Sequence, residues 1–153
     1  MTPAVLSQRV AALEAAFHHV QATRLSGVPV LHPRLQVRAL GFRPAADEPG
    51  LAWGVLLTPW FMNLVRLPLA DEAADALVSP GAKAVREVGR QAFEFIGAHE
   101  PALGPFEACS LFSPMFEFVD QPAAVATAEA VLQHLREPVA AARRGFLFGR
   151  SSP

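Results

Sequence analysis

Leu51-Ala-Trp-Gly-Val-Leu-Leu57, then Thr58-Pro59-Trp60, then Phe61-Met-Asn-Leu-Val-Arg-Leu67 is the stretch that decides the fold. Two apolar runs flank a proline-bearing connector, which predicts two strands joined by a tight turn. Upstream, Leu35-Gln-Val-Arg-Ala39 alternates apolar and polar, the period of a half-buried strand. Downstream, segments 84–88, 92–97 and 105–112, bounded by Gly89, Gly97, Gly104 and Pro105, add weaker strand signals. Asp71 to Leu77 reads as a short helical turn before Ser79-Pro80-Gly81.

Helical patterning sits outside this block. Thr2-Pro3 supplies a capping hydroxyl and a proline suited to the first helical position. Leu6, Val10, Leu13, Phe17 and Val20 then form one apolar stripe, ended by Ser26-Gly27 and Pro29. After Gln121-Pro122 the spacing recurs in Val125, Ala128, Leu132 and Leu135 until Pro138. Both helices are one-sided, so each needs a surface to pack on. The expectation is an α+β domain: a mainly antiparallel sheet of about five to six strands, with an N-terminal and a C-terminal helix covering one face. A single domain is expected over residues 1–138, with 139–153 a flexible basic tail.

Composition narrows the function classes. With 153 residues, 52% hydrophobic and 18% charged, the chain is long enough and apolar enough for one packed core. A formal net charge of -1 argues against a partner bound through broad phosphate neutralisation, so no nucleic acid is expected. The uncharged stretch between Glu48 and Arg66 is interrupted by Pro49, Pro59 and Asn63 and is short for a spanning helix, so no stable membrane insertion is expected. One cysteine, Cys109, precludes an internal disulfide and suits a reducing, cytoplasmic setting.

Catalytic signatures are missing. No G-x-G-x-x-G loop, phosphate-binding glycine loop or G-x-S-x-G elbow is present. Cys109 sits between Ala108 and Ser110-Leu111-Phe112, neighbours that raise a thiol pKa. His18 and His19 are adjacent, so on a helix they diverge by about 100°; no C-x-x-C or H-x-x-x-H spacing exists. No catalytic residue, metal or cofactor is expected. The alternative is a small redox or metal-handling factor using Cys109 with His99 or His134.

Two segments stand apart. Leu57-Thr-Pro-Trp-Phe-Met-Asn-Leu-Val65 and Cys109-Ser-Leu-Phe-Ser-Pro-Met-Phe-Glu-Phe118 each gather aromatics and a methionine around a proline. Large rigid rings with an adaptable thioether suit a protein-binding patch, and equally a core hairpin. The binding reading selects Pro59, Trp60, Phe61, Met62 and Asn63 with Phe112, Pro114, Met115, Phe116 and Glu117. In that reading the aromatic and methionine side chains of the two motifs line one apolar patch.

These motifs, with Asp120-Gln121, Thr127-Ala128, Gly41-Phe42 and Trp53-Gly54, resemble the signature of the HybE/HupJ family of [NiFe]-hydrogenase assembly proteins. The resemblance covers roughly residues 5 to 150; Arg86-Glu-Val-Gly-Arg90 and Phe106 depart from it. It implies a cytoplasmic chaperone without catalysis, acting in maturation of an uptake hydrogenase. The implied partner is a small or large subunit precursor, together with its twin-arginine signal peptide, bound before export. Near the C-terminus, Ala142-Arg143-Arg144-Gly145-Phe146-Leu147-Phe148 resembles the core of such a signal. Arg143, Arg144 and Phe146 are therefore expected either to pack on the domain as a basic tail or to occupy a groove that a client's signal peptide later fills.

Overall fold

The computed structural model describes residues 3–137; the tail, with Arg143, Arg144 and Phe146, lies outside the described residues. The chain runs α1 (Pro3–Thr23), β1 (Arg38–Pro44), β2 (Leu51–Leu57), β3 (Met62–Pro68), α2 (Asp71–Ala74), β4 (Lys83–Val88), β5 (Gln91–Glu100), β6 (Gly104–Phe112) and α3 (Gln121–Arg136). The six strands form one sheet, ordered β1-β2-β3-β6-β5-β4, with every neighbouring pair antiparallel. The expected α+β architecture is present.

Alternation along β2 explains its unbroken apolar sequence. Ala52 and Leu56 face one side with Leu13, Ala16 and Phe17 of α1. Trp53, Val55 and Leu57 face the other with Ala124, Ala128, Leu132 and Leu135 of α3. All seven residues of β2 are buried. The two helices thus cover opposite faces, and the expectation that both cover one face is corrected. A stripe shows that a helix is one-sided; it carries no information on which face of a two-sided strand receives it.

The first strand begins later than its alternation suggests. Leu35 and Val37 are buried, but in different cores. Between them the Gln36 N–H donates to Gln121 Oε1 (2.9 Å) and Gln121 Nε2 donates to Gln36 O (3.3 Å). A side chain of α3 thus occupies the backbone groups a ladder would have used, and pairing starts at Arg38. Gly41, at φ +66, then lets α3 come close, since a Cβ there would lie 2.5 Å from Leu132 Cδ1.

Farther from α1 the sheet is less covered. At the β4 edge Val85 is 68% exposed, and Ile96 on neighbouring β5 is 44% exposed. The helical turn expected over 71–77 closes earlier, at Ala74, and continues as turns.

Candidate functional site

Both aromatic motifs arrive at the same end of the sheet. Between β2 and β3, buried Thr58 organises the reversal: its hydroxyl oxygen accepts from the N–H of Trp60 (3.2 Å) and of Phe61 (3.0 Å). Its own N–H donates to Phe61 O (2.9 Å). Local bonding by a hydroxyl fixes a turn in this way. Trp60 and Phe61 are consequently presented half-buried against Phe17 of α1, at centroid separations of 6.4 and 5.7 Å.

The second motif leaves β6 at Phe112 and passes a cis Ser113–Pro114 bond. Met115 is fully buried, Phe116 is 54% exposed, Phe118 is buried edge-on to Phe112, and Val119 is 65% exposed. Asp120 caps α3 by accepting from the Ala123 N–H at 3.0 Å.

His32 ties the two segments together. Its backbone N–H donates to Pro59 O (2.9 Å). Nδ1 accepts from the Arg34 N–H (3.1 Å), which leaves Nε2 as the donor to Phe118 O at 2.6 Å. The ring also stacks on Phe116 at 5.9 Å. This buried histidine was not among the expected site residues; a lone histidine between prolines carries no spacing signal. Thr58 was likewise passed over, although Thr-Pro before two aromatics is the kind of pattern that marks a hydroxyl-bonded turn.

The single continuous patch expected from the two motifs needs correction. Met62 and Met115 have no exposed surface and belong to the α3-side core with half-buried Phe112. Trp60 and Phe61 pack on the α1 side, and Pro59 is buried. Strand alternation sends Phe61 and Met62 to opposite faces, so they cannot share a surface. Phe116, Val119, Pro114 and Glu117 are exposed, Trp60 and Phe61 partly so, and Asn63 is half-buried with an Oδ1 that has no hydrogen-bond partner among the described residues.

The other polar centre lies on the α3 side. Arg66, 1% exposed, donates through Nε to Glu107 Oε1 (2.9 Å) and through Nη1 and Nη2 to both oxygens of Glu48 (2.6 and 3.0 Å). Glu107, fully buried, also accepts from Arg86 Nη2 (2.8 Å) and the Val78 N–H (2.8 Å). Burial pushes Glu107 up, but hydrogen bonds from Arg86, Val78 and Arg66 outweigh it and hold the carboxyl below its ordinary range. The Arg66 hydrogen bonds likewise hold Glu48 low.

Cys109 is not poised for chemistry. Burial, and secondarily the charge of Glu94, push its thiol up. His99 pairs with Pro105, four residues before Cys109 on β6, while His134 on α3 contacts Arg90. Among the described residues no group of three His, Cys, Asp or Glu is placed to hold a metal ion. No described helix is long and apolar enough to cross a membrane.

The molecule is thus an α+β domain, one sheet held between two helices, whose distinguishing surface is an aromatic end pinned by Thr58 and His32. Residues 8–149 match the family model described as "[NiFe]-hydrogenase assembly, chaperone, HybE". The chain is 46% identical to protein HoxT of Cupriavidus necator, over 93% of this chain and 89% of that protein. It is 40% identical to the hydrogenase expression/formation protein HupT of Azotobacter chroococcum, over 77% of this chain and 76% of that one. With the probable rubredoxin HupJ of Rhodobacter capsulatus it shares 38% identity across 87% of its own length but only 48% of the relative's. The solution structure of HybE from Escherichia coli has the same fold, with a TM-score of 0.62 at 22% identity over 95% of this chain and 91% of that one. The chain belongs to the HybE family of [NiFe]-hydrogenase assembly chaperones.

Proposed function

We propose that this chaperone works in the cytoplasm, without catalysis of its own, by binding a subunit precursor of a [NiFe] uptake hydrogenase before twin-arginine-dependent export. The contact surface is the aromatic end, with Trp60, Phe61 and Phe116 reaching the client and Pro59, Met62, Asn63, Phe112, Pro114, Met115 and Glu117 supporting or flanking them. Arg143, Arg144 and Phe146 compete with the client's signal peptide for the same protein.

One observation carries the reading: Phe116 and Val119 stand 54% and 65% exposed on a segment anchored by buried Met115 and Phe118 and by the His32 hydrogen bond to Phe118 O. Large apolar side chains displayed on a fixed frame suit transient burial by a partner better than they suit water. An assembly chaperone must also prefer the unfinished client, so its contacts belong on surface that assembly later covers.

Calorimetric titration with precursor and mature subunits tests this. Precursor binding is expected to exceed mature binding, and Phe116→Ala to weaken it by about 2 kcal/mol. Unfolding stability of that variant should fall by no more than about 1.5 kcal/mol, the worth of its stack on His32. Equal affinity for both client forms, or a silent Phe116→Ala, overturns the proposal.

A further inference from the structure

At the opposite end of β2 from Thr58, a cleft of about 530 Å³ opens between the β1–β2 loop, the β4–β5 turn and the end of α3. Its floor is Trp53. The Arg136 guanidinium lies over that ring, 4.3 Å from its centroid, and donates through Nη2 to Trp53 O at 3.3 Å. Arg43 and Arg90 also line the cleft. Arg90 Nη1 is held by His134, 3.1 Å from Nε2 and 3.4 Å from the carbonyl oxygen.

None of these three guanidinium groups forms an ion pair among the described residues. Of the lining carboxylates, Glu48 is taken by Arg66 at both oxygens. Burial, then the charge of Arg43, push Arg136 down to about 10. A half-buried cation is therefore held beside a second cation with no carboxylate in ion-pair contact among the described residues, although the guanidinium fork is built to receive a planar anion. The alternative of a solvated surface arginine fails for Arg136, because its stack on Trp53 takes one face of the group out of water.

We propose that this cleft binds a carboxylate carried by a polypeptide partner, seated between Arg136 and Arg43. Asp47, Glu87 and Glu137 also border the cleft and repel a multiply charged anion, which favours a single carboxylate over phosphate. The volume exceeds what an isolated small acid fills and suits a short run of residues. The site goes beyond the aromatic-end reading and does not depend on it.

The test follows the indole N–H of Trp53 by NMR, with Trp60, beyond the far end of β2, as internal control. The full chain is titrated with N-acetylglycine, which offers a chain-terminal carboxylate, and with the α-amide of N-acetylglutamic acid, which offers a side-chain one. N-acetylglycinamide, sodium chloride and inorganic phosphate at matched ionic strength are the comparisons. Saturable shifts of Trp53 but not Trp60 are expected from the carboxylates alone, and the tighter of the two identifies the source as a chain end or an acidic side chain. R136Q should weaken binding about tenfold, and exposed R43Q, which leaves the Trp53 stack in place, about threefold. Non-saturating shifts, equal response to chloride or phosphate, or unchanged affinity in R43Q and R136Q overturn the proposal.

Discussion

Thr58–Phe61 and residues 113–119 close one end of the sheet with rings and neutral hydrogen bonds, whereas Glu48, Arg66, Arg86 and Glu107 join its strands from the α3 side with ion pairs. The first region keeps apolar surface in water and spends its polar contacts on holding shape. The second hides charges, so each must be matched by a partner. One arrangement exposes what it could bury, and the other buries what would ordinarily be exposed. In the proposed function, the contrast separates a surface offered to a client from a clamp that serves the fold.

The largest expected effect comes from breaking the clamp. Glu107→Ala leaves Arg66, and with it Arg86, without the buried carboxylate and should destabilise the domain by about 3–5 kcal/mol in chemical denaturation. A loss below about 1 kcal/mol would mean that the ionic region is no more demanding than the aromatic one. Next is the neutral clip. His32→Ala strands Phe118 O and removes the Phe116 stack, with an expected cost of about 1–3 kcal/mol. Hydrogen-exchange protection should fall chiefly over 113–119; a uniform loss across the sheet would erase the distinction between the regions.

Acid supplies the smallest and most selective probe. Glu48 and Glu107 are held low in the fold, so they contribute stability above the unfolded carboxyl pKa and lose it as pH falls through their folded values. Glu48 is partly exposed, so Glu48→Gln should remove at most about 1 kcal/mol at neutral pH and flatten the acid limb of a stability profile. Stability rising on acidification would contradict the direction of both shifts.

Sequence reading reached the aromatic end because its residues are contiguous: Thr58-Pro59-Trp60 announces a turn, and Pro114 amid phenylalanines announces a second irregular segment. It overreached where a one-residue step along β3 turns Met62 away from Phe61. The ionic clamp stayed hidden because Glu48, Arg66, Arg86 and Glu107 come from four separate segments and meet only through strand order. Arg66 in particular reads as the polar break ending an apolar run, yet it is among the most deeply buried side chains. The α1 stripe and the α3 spacing were legible to the turn, while the side of the sheet each covers required the alternation of β2 to be seen in place.

Among the described residues no strand pairs with the outer margin of β4, and the side chains there bear on self-association. Val85 stands out there, but Lys83 and Glu87 bracket it on the same exposed row. A second copy sliding in to extend the sheet would have to strip water from both charges. Strand addition along that flank is thereby made costlier than it would be at an uncharged edge.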